Sequence, residues 1–381
     1  MIPSQRHLFE IPEEVSYLNC AYMSPLLKTG IRAGEAGIRS KGQPWNISTT
    51  DFFARTERTR TLFAQLIGAT ADDIFIVPAV SYAMGVAARN LPLAKGQRIL
   101  LLADQFPSNV YPWRELARER EAEVVTLARP QDNDWTRSIL EHIDRSVAVV
   151  ALPHCHWVDG ALVDLIAVGA RCREMGAALV LDLTQSAGAL PIDVKAVQPD
   201  FAVAAAYKWL LGPYTLGFCY VAPRWQCGQP LEYNWITREG SEDFARLVDY
   251  RDSFQPGARR FDMGERSHFQ LMPVAEAGLE QLHAWGVAAI AQTLAHKTAA
   301  IVARAQSHGF TALSDPLRAG HYLGLRYSGN LPGDLPQRLS AHQVYISQRG
   351  DALRVTPHLY NNEADVERLF VALAACGIRG A

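Results

Sequence analysis

The sequence has no run of eighteen apolar residues, the length that a membrane-spanning helix needs. Apolar runs such as Ile99–Ala103 and Val147–Leu152 are far too short, and no membrane association is expected. Neither sign of charge is in excess, because 37 Lys and Arg stand against 39 Asp and Glu. A net charge of −2 excludes the chain-wide basic field on which nucleic-acid binding relies. The six cysteines form no CxxC pair, so in a chain of this length they read as reduced thiols. No GxSxG, HExxH, P-loop or GxGxxG falls in a suitable context, which leaves the matching hydrolase and nucleotide classes without support. The opening MIPSQRHLFEIPEE carries neither an apolar h-region nor a small-residue cleavage site, and a cytoplasmic enzyme is the expectation.

What is present is an ordinary globular balance, 49% hydrophobic and 20% charged over 381 residues, enough chain for two domains. Short apolar runs alternate with helical stretches. IFIV (74–77), RILLLA (98–103), EVVTL (123–127), VAVVAL (147–152), ALVLD (178–182), DFAVAA (200–205) and LGFCYV (216–221) read as strands. Segments 81–90, 110–120, 135–144 and 162–175 read as helices between them. DFFARTERTRTLFAQLI (51–67) reads as an earlier helix capped by Thr49 or Thr50 and ended by Gly68. Runs buried on both faces and separated by helices predict an α/β fold with a mainly parallel sheet, in which LGFCYV is a candidate antiparallel member. A long helix over 273–307, broken near Trp285–Gly286, opens a smaller α+β unit that a helix of 363–375 closes.

In an open parallel sheet, ligands sit beyond the carboxyl ends of the strands. Asp182 ends ALVLD, and burying its carboxylate is costly without a cationic partner. Lys208 lies just past DFAVAA, flanked by Ala, Tyr, Trp and Leu, where desolvation lowers the amine's pKa and makes it a nucleophile. An acid and a lysine at adjacent strand ends are what pyridoxal 5'-phosphate requires, one for the pyridine nitrogen and one for the Schiff base. Taken singly, the Asp reads equally as a cap and the Lys as a snorkelling surface residue.

Five segments carry a family resemblance. YLNCAYMSP (17–25), RTLFAQLIGA (60–69), DLTQSAGALPIDV (182–194), DFAVAAAYKWLLGPYTLGF (200–218) and LRVTPHLYNNEADVERL (353–369) stand in an order similar to that of the class V aminotransferases. These are fold-type I pyridoxal-phosphate enzymes, a group that includes cysteine desulfurases, kynureninase and isopenicillin N epimerase. The resemblance implies a seven-stranded, mainly parallel sheet sandwiched by helices, with an arm over 1–15, a large domain over 16–264 and a small domain over 265–381. It implies Lys208 as the Schiff-base residue, Asp182 at the ring nitrogen and Gln185 at the ring hydroxyl, with Arg354 and Asn19 on the substrate carboxylate. Val80 and Ser81, opening a helix after IFIV, would offer phosphate-binding N–H groups, and Tyr207 would reach the phosphate.

Other positions stay open. Phe106 in DQFPSNVYPW would stack on the cofactor ring, or is core packing. His154, by resemblance, lies over the cofactor edge; His154 or His156 would act as an acid–base group, or either is structural. Two histidines without a further cluster do not complete a metal site. Arg354 also reads as a paired surface arginine. Arg260, Arg266 or Ser267 in RRFDMGERSHF would reach a neighbouring subunit's phosphate, and the resemblance implies a homodimer with shared active sites. HQVYISQRGDALR (342–354) lacks the cysteine that desulfurases carry before their closing arginine. Transamination of an amino acid is the nominal expectation, with a β-lyase, an epimerase or a non-catalytic cofactor-bound sensor as alternatives.

Overall fold

The computed structural model describes residues 1–378. Seven strands build the main sheet: β2 (Ile74–Val77), β3 (Arg98–Leu102), β4 (Glu123–Leu127), β5 (Val147–Pro153), β6 (Ala178–Asp182), β7 (Phe201–Ala205) and β8 (Gly217–Val221), all following a two-residue β1 (Ser16–Tyr17). Their spatial order is β2-β8-β7-β6-β5-β3-β4. The strands from β7 through β6, β5 and β3 to β4 are parallel, and β8 runs antiparallel to both β7 and β2. Every residue of β2, β6, β7 and β8 is buried, as expected of a sheet covered on both faces. Six of the seven strands therefore point their carboxyl ends at one edge.

The turn from β7 into β8 is tied at its base. Ala205 pairs with Gly217, Ala206 N–H donates to the Leu216 carbonyl at 2.9 Å, and Gly212 N–H donates to the Ala206 carbonyl at 2.8 Å. Lys208 stands inside this turn.

Helices α1 (Lys28–Ser40), α2 (Ala54–Leu66), α3 (Val80–Asn90), α4 (Tyr111–Arg120), α5 (Trp135–His142), α6 (Leu165–Met175) and α7 (Val194–Val197) precede or connect the strands. The expected helix over 51–67 begins later, at Ala54. A 3-10 turn over Thr49–Phe52 comes first, and Ser48, not Thr49 or Thr50, closes it with Asp51. At the other end, Gly68 adopts φ +75°, a conformation open to glycine at little cost. The expected long helix divides at Gly286 into α8 (Met272–Trp285) and α9 (Val287–Gln306), and α8 packs against α1 and α2.

A second sheet joins β9 (Phe310–Thr311), β10 (Leu323–Tyr327), β12 (Ser347–Arg349) and β13 (Ala352–Val355) in the order β12-β13-β10-β9, all antiparallel. β11 (Val344–Tyr345) pairs with β1. Helices α10 (Leu335–Ala341) and α11 (Glu363–Ala375) cover this unit around Leu323, Leu325, Leu339, Leu353, Leu369 and Phe370. The amino-terminal residues are tied to the same region, with Gln5 N–H on the Leu359 carbonyl and Arg6 on Asp365 at 3.1 Å. No helix among the described residues is long and apolar enough to cross a membrane.

Candidate active site

Five strand ends deliver side chains to one narrow cleft at the carboxyl edge of the main sheet. β2 leads to Val80, β3 to Phe106, β5 to Pro153, Cys155 and Trp157, β6 to Asp182, Thr184 and Gln185, and β7 to Tyr207 and Lys208. The pattern follows from topology, since residues far apart in sequence meet only where parallel strands end together.

Asp182 and Lys208 are 7% and 6% exposed, and among the described residues neither has an ion-pair partner. Burial pushes the Asp182 carboxyl up, while the Thr184 side chain and backbone N–H, the latter at 2.9 Å, oppose that shift. Burial depresses the Lys208 amine to about 8, and Asp182 only partly counters it. The amine lies 5.5 Å from the centre of the Phe106 ring and 5.4 Å from that of Tyr207, and it makes no hydrogen bond to a described residue.

A buried acid and a buried base that share a cleft without pairing leave charge uncompensated. Pyridoxal phosphate fits such a set, having a ring nitrogen for a carboxylate and an aldehyde for an amine. Val80 and Ser81 open α3 after Ala79, whose side chain makes no cap bond, so the first N–H groups of that helix are available to an anion. Val80 lines the cleft, and Ser81 is exposed on the same turn. Phe106 meets the Trp157 ring edge-on at 5.5 Å. Gln185 is held from both ends, donating to the Ala21 carbonyl at 3.0 Å and accepting from Trp209 Nε1 at 2.9 Å.

Arg354 and Asn19 are brought together by a residue the sequence did not single out. Ser347 Oγ accepts from Arg354 Nε at 2.9 Å and Nη2 at 2.7 Å, and donates to Asn19 Oδ1 at 2.9 Å. Arg354 Nη1 also donates to the Trp157 carbonyl at 3.1 Å, which links this group to the cleft. Arg354 is 1% exposed and has no carboxylate partner among the described residues, so the reading as a paired surface arginine does not hold.

The structure does not bring His154 to the cleft-lining residues. Alternation at the end of β5 places Pro153, Cys155 and Trp157 there, whereas His154 Nδ1 is buried without a partner, and burial lowers its pKa to about 4. His156 is structural, with Nε2 on the Ala103 carbonyl at 3.1 Å and its ring stacked on Trp135. Arg266 is committed to Asp262 at 2.5 Å, and Arg60 holds the same carboxylate at 2.7 Å. Ser267 donates to the Phe52 carbonyl at 2.7 Å, and Arg260 lies over the Phe254 ring. Thr184, Cys155 and Trp157 line the cleft without having been read as site residues. Thr184, inside DLTQ, was the one with a visible signal.

The chain is similar to known proteins along most of its length. The family model for Aminotransferase class-V matches residues 46–369. An uncharacterized aminotransferase, YcbU, of Bacillus subtilis is 27% identical, covering 88% of this chain and 86% of the relative. A kynureninase of Burkholderia mallei is 30% identical, covering 73% of this chain and 65% of the relative. A solved structure of a C-DES mutant, with glycine covalently linked to the PLP cofactor, has the same fold. Its TM-score is 0.87 at 18% identity, covering 97% of this chain and 99% of that one. The match over the greater part of the chain, with an unpaired acid and lysine at adjoining strand ends, makes this protein a member of the class V aminotransferase family of pyridoxal-phosphate enzymes.

Proposed function

We propose that this protein transfers the amino group of an amino acid, using Lys208 to take the proton from Cα. The observation that carries the reading is the unpaired burial of Lys208 and Asp182 in one cleft. Lys208 would bind the cofactor's aldehyde, Asp182 would face its ring nitrogen, and Val80 and Ser81 would hold its phosphate, with Tyr207 beside them. Gln185 and Phe106 would contact the ring. When bound, pyridoxal phosphate supplies an electron-accepting ring that lowers the energy of a carbanion at Cα.

The chain's own groups supply the rest. An amine near 8 is far closer to the free-base form at neutrality than an ordinary lysine at 10.5, with about a tenth unprotonated at pH 7, as a general base requires. Arg354, held by Ser347, and Asn19 would grip the substrate carboxylate and fix which bond at Cα stands ready to break. Phe106, Cys155 and Trp157 narrow the cleft and limit water. Cys20 and Cys155 are buried and burial raises both thiols, so neither suits nucleophilic sulfur transfer. A β-lyase is the second reading, favoured by the likeness to kynureninase. We also propose a homodimer, because Tyr22 and Tyr214 are 54% and 61% exposed although both lie near Tyr207.

Borohydride reduction followed by peptide mass spectrometry should place the cofactor on Lys208. Each amino acid is then tested with and without a keto acid. Product that forms only with the acceptor supports transamination; ammonia released without one points to elimination. A reduced adduct on another side chain, or none after saturating reconstitution, overturns the proposal.

A further inference from the structure

A second arginine, Arg349, lies near the cleft and takes no part in the proposed chemistry. Arg349 ends β12, two residues after Ser347, so both side chains leave the same face of that edge strand. Ser347 is the residue that holds Arg354 and Asn19. Arg349 pairs across the strands with Ala352. The guanidinium of Arg349 lies 5.4 Å from the centre of the Trp157 ring, and that of Arg354 lies 5.7 Å from it. Trp157 itself lines the cleft with Lys208 and Asp182. One indole thus ties together the base, the carboxylate-binding arginine and Arg349.

Arg349 is half-buried, yet no carboxylate among the described residues pairs with it. Among the described residues its guanidinium makes one hydrogen bond, from Nη1 to the Gln348 carbonyl at 2.7 Å. Neighbouring arginines are treated differently: Arg129 and Arg326 share Asp159 at 2.9 and 3.1 Å. Burial and the nearby charge of Arg354 both lower the pKa of Arg349, as expected of two guanidiniums set together without an anion. Two uncompensated cations on one aromatic ring form a site for two anionic groups.

We propose that the substrate carries a second anionic group on its side chain, and that Arg349 with Trp157 binds it while Arg354 holds the α-carboxylate. The substrate class is an acidic, dicarboxylic amino acid. This inference rests on the proposed function, because it takes the cleft as the amino-acid site.

The test uses the purified holoenzyme and follows the cofactor absorbance during titration. The probes are succinate and glutarate against butyrate and pentanoate, then L-aspartate and L-glutamate against L-asparagine and L-glutamine. The acidic member of each pair should bind about tenfold to a hundredfold more tightly, the range for a hydrogen bond to a charged group. In R349Q the acid-to-neutral ratio should fall toward one, whereas R354Q should weaken every carboxylate probe. A ratio near one in the unsubstituted protein, or a ratio that survives R349Q, overturns the inference while leaving the proposed function standing. Failure to form any borohydride-reducible absorbance overturns both.

Discussion

Asp182 and Lys208 emerge from the ends of two neighbouring parallel strands into one cleft, and no ion pair joins them. Both are buried without an ion-pair partner, and that burial sets the pH behaviour of the protein without cofactor.

Burial holds the Lys208 amine near 8 in the folded chain, against 10.5 ordinarily. Between these values the unfolded chain retains a proton that the folded chain has lost, so stability rises with pH across that window. The rise from this group is at most about 3 kcal/mol, and it ends above 10.5. Denaturant unfolding of cofactor-free protein at pH 7 and pH 10 should show a steeper pH gain than K208M shows. Equal gains would place the amine in a solvated setting.

Replacing Asp182 by Asn removes the charge proposed to face the ring nitrogen but keeps the shape. D182N should still form a reducible adduct at Lys208, with kcat lower by about 10²–10³-fold, as when an aligned electrostatic partner is lost. Absorbance spectra and steady-state rates give the two readouts separately. An unchanged rate would remove Asp182 from the chemistry.

Ser347 does not line the cleft; it holds Arg354 and Asn19. S347A should raise KM by about tenfold or more, the effect of losing hydrogen bonds to a charged group, with a smaller change in kcat. S347T, which keeps the hydroxyl, should recover much of the loss. A fall in kcat alone would contradict the positioning role.

Asp262 is fully buried between Arg60 and Arg266 and also accepts from the Ile76 N–H at 2.7 Å. D262N leaves two buried guanidiniums without their anion and should destabilise the fold by about 3–5 kcal/mol. Equilibrium unfolding in urea measures this. A loss below about 1 kcal/mol would class the cluster with exposed ion pairs.

The sheet was legible because its strands are continuous apolar runs ended by turn residues, and IFIV, EVVTL and ALVLD match β2, β4 and β6 residue for residue. Helix α1 was not foreseen. KTGIRAGEAGIRS holds three glycines, which argue against a helix locally, but they serve close packing. A Cβ at Gly37 would stand 2.1 Å from the Phe269 carbonyl oxygen. Lys208 and Asp182 were legible as strand-end residues of unusual chemistry. Ser347 and Arg349 were not, because they lie on a short edge strand whose register appears only when β12, β13 and the Asn19 segment meet in space. His154 lies outside the cleft lining for a simpler reason, a single step of alternation just past the end of β5.

Lys208 is mounted on a hairpin clamped at its neck, where Ala206 is bonded to both Leu216 and Gly212. Lys208 therefore reaches its target by rotating about its own four methylenes, since its main chain is pinned to the middle of the sheet. Arg354 and Arg349 sit on the small outer sheet, two strands from its far edge or on the edge itself. Any tightening of the backbone around a bound molecule is then left to that side, with the Lys208 main chain as the stationary jaw.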